Sequence, residues 1–198
     1  MNNKKINLFI HLPKCGGVAV RKILNKENVN LHCYNHTEYD RIPKNIIEQS
    51  FIFTFIRNPW DRIVSLYFFW KQQDKNHRFY HSDKKQVDYI NKLDMSFKNF
   101  TKEIVNKKSI FYEKRHLHPY IGHFFPTADC IDFIGRFENF QQDFNIICDK
   151  IGIPHQQLPH KNKSKHKFYT EYYDDKTRQI VAEIYSRDIE HFGYKFGD

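Results

Sequence analysis

The sequence predicts an α/β fold in which helices flank a central parallel sheet. Short apolar runs alternate along the chain with segments whose apolar residues recur at helical spacing. One run, FIFTFI at residues 51–56, is apolar at nearly every position, which is typical of a strand buried on both faces of a parallel sheet. The 198 residues, 40% of them hydrophobic, suffice for one core, so we expect one domain over residues 1–198.

The elements follow from local patterns taken in order. The first strand is predicted at residues 7–11, and after a Gly turn a helix covers residues 18–25, because Val20, Ile23 and Leu24 share one face. The remaining predicted elements are strand 29–34, helix 43–49, strand 51–56, helix 59–70, helix 97–106, strand 130–134, helix 140–151 and helix 174–187. Residues 71–93 are polar and are expected to form a surface insertion or a lid.

The charge balance favours anionic partners. Lys and Arg number 32 against 23 Asp and Glu, a net charge of +9, and 12 histidines add to it below neutral pH. Candidate partners are nucleic acid, nucleotides, phosphate or sulfate groups and anionic glycans. The sequence lacks a run of roughly 20 apolar residues and a signal-peptide pattern, so we expect a soluble, cytoplasmic protein without a membrane span.

The four cysteines are scattered, so the sequence predicts neither a zinc ribbon nor a disulfide framework. Reduced thiols are expected. Cys15 differs from the others because it lies in a Gly turn before a helix, a setting that favours a reactive thiolate.

The turn HLPKCGG has the composition of a phosphate-binding loop. A strand that leads through a tight Gly turn into a helix directs unbonded backbone N–H groups and the helix dipole at an anion. Lys14 adds a mobile positive charge, and Gly16 and Gly17 allow close backbone approach. The alternative is a simple loop, and the Gly-Lys-Ser/Thr ending of a Walker A motif is absent from this segment.

A second group of polar residues follows the buried strand in RNPWDRIVSLY. Arg57 is expected at the carboxyl end of the sheet, where open α/β sheets bind ligands. If the chain turns back at Asn58, the guanidinium and the Ser65 hydroxyl converge on one phosphate. The alternative is that Arg57 and Arg62 pair with Asp61 and that Ser65 serves helix packing.

Together these segments resemble the two cofactor-binding signatures of sulfotransferases that use 3′-phosphoadenosine 5′-phosphosulfate (PAPS). IHLPKCGGVAV resembles the 5′-phosphosulfate loop, and FTFIRNPWDRIVSLY resembles the 3′-phosphate segment. DFIGRFENFQQDF and the closing LPHKNKS…YKF segment resemble later blocks of the carbohydrate branch, which includes glycosaminoglycan 2-O-sulfotransferases. The resemblance implies a P-loop-NTPase-like domain and metal-independent sulfuryl transfer to a hydroxyl, expected on a carbohydrate, leaving adenosine 3′,5′-bisphosphate (PAP).

The resemblance also implies roles for single residues. Lys14 would contact the sulfate and the bridging oxygen, while Arg57 and Ser65 would hold the 3′-phosphate. Cys15 and Val18 stand where the family usually has Thr or Ser, so two hydroxyl donors of the family pattern are missing. The implied cofactor-binding residues are Pro13, Lys14, Cys15, Gly16, Gly17, Val18, Arg57, Ser65 and Ser164.

The acceptor's proton needs a base, and a His is well matched near neutral pH. His36 follows the second predicted strand, where the resemblance implies a catalytic His; Glu38 and His116 are the second choices. His116, His118 and Arg136 are candidate substrate-binding residues, and no metal site is expected.

Three alternatives stay open at the level of sequence. They are a P-loop-like nucleotide-binding or kinase-like protein, a catalytically degenerate PAPS-binding protein and, with less support, a basic nucleic-acid-binding module. The sulfotransferase interpretation expects no nucleic-acid partner.

Overall fold

A computed structural model of the chain describes residues 6–27, 29–112, 114–159 and 166–198. Within these residues the centre of the fold is a four-stranded parallel sheet of strand order β2-β1-β3-β4. Its strands are β1 (Ile6–His11), β2 (Leu31–Asn35), β3 (Ser50–Ile56) and β4 (Phe133–Arg136). The predicted α/β fold with a parallel sheet is confirmed.

The helices lie between and after these strands. In chain order they are α1 (Gly17–Leu24), α2 (Lys44–Glu48), α3 (Pro59–Lys71), α4 (Tyr80–Lys92), α5 (Phe97–Glu103), α6 (Phe140–Ile151), α7 (Asp175–Ile184) and α8 (Ser186–Phe192). The chain folds as two compact units, each built from two stretches of sequence. The described residues of the first lie within Met1–Arg57 and Tyr120–Asn162, and those of the second lie within Asn58–Pro119 and Lys163–Asp198.

The first unit contains the sheet with α1, α2 and α6. All seven residues of β3 are buried, as the unbroken apolar run predicts for a strand covered on both faces. Ile10 of β1 pairs with Tyr34 on one side and with Thr54 on the other, and the Thr54 hydroxyl donates to the Ile10 carbonyl at 2.7 Å. Because the strands are parallel, their carboxyl ends share one edge of the sheet, and Lys14, His36 and Arg57 follow at that edge.

The second unit is helical in its described part. Helix α3 begins with Pro59 at its first position, and the Asn58 side chain caps it by accepting from the Trp60 amide at 3.1 Å. The segment 71–93, expected as a surface insertion, contains α4, whose Tyr80 and Ile90 are among its buried residues. Its use as a lid stays a prediction.

The predicted and observed elements differ most at the fourth strand and at the last predicted helix. The fourth strand begins at Phe133, because residues 128–130 form a 3₁₀ turn and the Asp132 carboxylate accepts from the Ile52 amide at 2.8 Å before regular pairing starts. The helix predicted at 174–187 is two helices, α7 and α8, that divide at Tyr185. The Tyr185 hydroxyl donates to the Leu117 carbonyl, a contact remote in sequence.

The described residues also bear on the cysteines and on membrane-spanning helices. All four cysteines lie among them and carry reduced thiols. In the part of the chain that the structure describes, no helix has the length and apolar character needed to cross a membrane.

Candidate functional site

The Gly turn after β1 has the backbone of an anion-binding loop. Lys14 and Gly16 both adopt left-handed conformations, with φ of 62° and 77°, and Gly16 is the N-cap of α1. The first-turn amides of a helix have no carbonyl within the helix to bond, and the positive end of its dipole lies there. This turn therefore presents backbone donors beside the side chain of Lys14.

Both glycines of the turn are fixed by close neighbours. A Cβ on Gly17 would lie 2.6 Å from His11 Cγ, and nearer still to two other atoms of that ring. A Cβ on Gly16 would lie 2.9 Å from Phe140 Cε1, and this residue also has a positive φ. Neither position accepts a side chain without displacing a ring, so the loop is packed onto His11 from β1 and onto Phe140 from α6.

His11 is held as a neutral imidazole beneath the loop. Its Nδ1 lies 2.8 Å from Asn35 Oδ1, and because an amide oxygen only accepts, Nδ1 donates there. Arg21 Nη1 donates to the same oxygen at 2.9 Å. Burial is the main cause that lowers the pKa of His11 from 6.5 to about 4, so the ring is uncharged at neutral pH.

Arg57 lies against the same loop. It follows β3, is 8% exposed, and its Nη1 donates to the Lys14 carbonyl at 3.2 Å. The guanidinium carbon lies 4.2 Å from the centre of the Phe137 ring, a cation–π geometry that fixes the plane of the fork. The structure thus brings together two segments that are 43 residues apart in sequence.

His36, the first candidate base, lies at the same edge of the sheet. It has a φ of 51°, its amide donates to the His11 carbonyl at 2.9 Å, and the two imidazoles meet edge to face at 5.1 Å. Glu38, the second choice, is engaged elsewhere: its carboxylate lies 3.3 Å from Arg41 Nε and 3.6 Å from His123 Nε2.

Three of the predicted site residues belong to the second unit. Ser65 is buried in α3, and His116 packs edge to face on Trp70 at 6.0 Å. The His118 carbonyl accepts from Arg62 Nη2 at 2.6 Å. Their assignments therefore stay predictions from the sequence.

Arg136 and Ser164 are two further predicted site residues. Arg136 ends β4 in the first unit, where its amide donates to the Asp143 carboxylate at 2.6 Å. Ser164 lies outside the described residues.

Sequence reasoning missed Tyr120. Its side chain is fully buried, and its hydroxyl accepts from the Arg57 amide and donates to the Arg57 carbonyl, both at 3.2 Å. The same hydroxyl lies 3.1 Å from Cys15 Sγ. Cys15 is 1% exposed, so burial removes the access that a reactive thiol needs. Nothing in the local pattern around Tyr120 signals a contact with residues 63 and 105 positions away.

The donors of the site suit an anion. Backbone amides with Lys14 and Arg57 match phosphate or sulfate oxygens. Among residues 6–27, 29–112, 114–159 and 166–198, no group of three or more His, Cys, Asp or Glu side chains is placed to hold a metal ion.

Comparison with known proteins gives the class. The model of the sulfotransferase family matches residues 8–195, so the chain belongs to that family. An uncharacterized protein of Archaeoglobus fulgidus is 27% identical over 117 residues, which are 59% of this chain and 80% of that protein.

A solved structure supports the fold. The crystal structure of mouse sulfotransferase SULT7A1 complexed with PAP is similar to this chain with a TM-score of 0.50, at 10% identity, over 96% of this chain and 85% of that one. The likeness concerns the fold, which is P-loop-NTPase-like in sulfotransferases. The family establishes sulfuryl transfer as the general chemistry.

Proposed function

We propose that this chain transfers a sulfuryl group from PAPS to a hydroxyl of a carbohydrate. The observation that carries the proposal is the contact of Arg57 Nη1 with the Lys14 carbonyl. It places the Arg57 guanidinium beside the N-terminal turn of α1 and beside Lys14, whose side chain carries an ammonium. A nucleotide with phosphates at both its 3′ and 5′ positions needs such a pair of cationic groups.

The cofactor-binding assignments follow from these donors. The amides of Gly16, Gly17 and Val18 would bind the 5′-phosphosulfate, because they open α1 and the glycines leave no side chain over them. Arg57 would hold the 3′-phosphate, since its planar fork matches two phosphate oxygens. Ser65 and Ser164 are proposed as two further phosphate contacts, on the resemblance of their segments alone.

Lys14 and His36 are proposed as the reactive side chains. PAPS supplies the activated sulfuryl group. The Lys14 ammonium would stabilise the negative charge that develops on the leaving phosphate oxygen, which makes a metal ion unnecessary for that task. His36 would take the proton of the acceptor hydroxyl, and its contact with the His11 ring keeps it next to the loop that carries Lys14.

The acceptor is proposed to carry negative charge. Residues 71–119 contain 12 Lys and Arg against 6 Asp and Glu, and such an excess attracts anions over a distance. His116 and His118 lie within this range, and together with Arg136 they are the candidate acceptor contacts.

Thermal melting with and without PAP tests the cofactor assignment. A ligand that binds only the folded chain adds about 2.7 kcal/mol at a hundred times its Kd, which for a chain of this length raises the Tm by roughly 5–10 °C. Melting with ATP and Mg²⁺, and with an oligonucleotide, forms the comparison. A shift with either of these and none with PAP would favour the kinase-like or the nucleic-acid alternative and sink this proposal.

Transfer assays on His36→Ala test the base. We expect loss of sulfuryl transfer from PAPS to a panel of neutral and anionic polysaccharides, with the PAP-induced Tm shift retained. His155→Ala, which removes a surface histidine of the same unit, is the matched control. Retained turnover in His36→Ala would move the role to Glu38 or His116, and PAP binding without turnover in the wild type would identify a degenerate family member.

A further inference from the structure

The hydroxyl of Tyr120 joins two parts of the candidate site. It bonds both backbone groups of Arg57 and also contacts Cys15 Sγ in the Gly turn. A phenol has one proton to donate and two lone pairs to accept with. When the hydroxyl proton goes to the Arg57 carbonyl, the Arg57 amide and the Cys15 thiol occupy the lone pairs, so all three contacts can be satisfied at once.

These contacts close into a ring. Tyr120 fixes the backbone of Arg57, the Arg57 side chain donates to the Lys14 carbonyl, and the next residue, Cys15, returns to Tyr120. The Pro13 carbonyl, 3.3 Å from the Cys15 thiol, is a second acceptor for the thiol proton inside the loop. Lys14, between Pro13 and Cys15, adopts a left-handed φ of 62°, a conformation that surrounding contacts must hold in a residue other than Gly.

The side chain of Cys15 is therefore directed into this closed set of contacts. The family pattern has Thr or Ser at this position, and here the thiol is buried against a phenol. A thiol directed inward stabilises the shape of the loop. Because the hydroxyl of the family pattern is missing at this position, the backbone amides of the loop remain as donors.

We propose that Tyr120 is a positioning residue that, through Cys15 and Arg57, sets the spacing between the loop for the 5′-phosphosulfate and the residue for the 3′-phosphate. The inference rests on the proposed function, because it assigns those two phosphates to the two segments. It follows that Tyr120 matters most for a nucleotide that spans both segments and least for one that touches a single segment.

The test compares three nucleotides by titration calorimetry: PAP, adenosine 5′-monophosphate and adenosine 3′-monophosphate. In Tyr120→Phe we expect PAP to bind about 10-fold more weakly, as for the loss of hydrogen bonds that hold a site in shape, and each monophosphate to change less than about 3-fold. Tyr112→Phe, the same change in the second unit, is the control and should leave all three affinities unchanged.

A second pair of variants keeps the test decisive if Tyr120→Phe fails to fold. Cys15→Ala removes the thiol and should weaken PAP selectively by about 3-fold, whereas Cys15→Ser keeps a donor and should restore most of that loss. Unchanged PAP affinity in Tyr120→Phe, or in Cys15→Ala where the first variant does not fold, would overturn the inference. An equal loss for all three nucleotides would do the same, because it indicates general damage.

The wild-type titration separates this inference from the proposed function. If the wild type does not bind PAP, the proposed function fails and the inference falls with it. If the wild type binds PAP and the variants bind it equally well, only the positioning role of Tyr120 is refuted.

Discussion

Gly17 is the position where the packing of the Gly turn can be tested most directly. An alanine Cβ there would lie 2.6 Å from His11 Cγ and nearer still to His11 Cδ2 and Nε2, so the ring must move by roughly 2 Å to restore ordinary contact. The ring is held in place, because Nδ1 is bonded to Asn35 and the ring stacks on Phe9 at 5.8 Å. Overpacking costs about 1–3 kcal/mol and disturbance of the hydrogen bond about 1 kcal/mol more.

We therefore expect Gly17→Ala to lower the free energy of unfolding by about 2–4 kcal/mol, or the Tm by roughly 5–15 °C. Urea denaturation followed by circular dichroism measures the change. Gly152→Ala is the control: its φ is +75° but no atom lies within 4 Å of the added Cβ, so only backbone strain of about 1 kcal/mol is expected.

A double mutant identifies the cause. In a His11→Ala background the space is vacated, and Gly17→Ala should then cost less than about 1 kcal/mol. A Gly17→Ala variant as stable as the wild type, or a cost that is the same in both backgrounds, would refute the steric explanation.

Three further outcomes are expected. Burial holds the pKa of His11 at about 4, against 6.5 in the unfolded chain, so as the pH falls the unfolded chain gains the proton first. The free energy of unfolding should therefore decline by up to about 3 kcal/mol between pH 6.5 and pH 4. Urea titrations measure this decline, which should be smaller in His11→Gln. Arg57→Lys should weaken PAP binding by about 10-fold or more in calorimetry, since an ammonium cannot replace the fork that contacts the Lys14 carbonyl; equal affinity would argue against the 3′-phosphate assignment. Asn58→Ala should lower the free energy of unfolding by about 2–3 kcal/mol in thermal melts. The α3 cap is lost, and the Lys195 carbonyl loses the donor Asn58 Nδ2, which lies 2.9 Å away. A neutral change would contradict that role of Asn58.

Local sequence patterns were sufficient to predict the alternating strands and helices of the α/β fold. The apolar run of β3 and the Gly turn before α1 report burial and backbone freedom, which are properties of a few neighbouring residues. The segment around residues 130–136 shows the limit, because the start of β4 depends on Asp132 bonding Ile52 across the sheet. Tyr185, where α7 and α8 divide, bonds the remote Leu117 carbonyl, and no local pattern reports that contact.

The sequence by itself determined the α/β class and the family and predicted the segments of the candidate cofactor site, since apolar patterning and short motifs carry that information. Only the tertiary structure decided how the site is held: His11 packs under Gly17, Arg57 reaches the Lys14 carbonyl, and the Tyr120 hydroxyl ties Arg57 to Cys15. The physical reason is that the contacts of Arg57 and Tyr120 join residues distant in sequence through single buried groups. Such pairing is set by where the elements pack, and no local propensity encodes it.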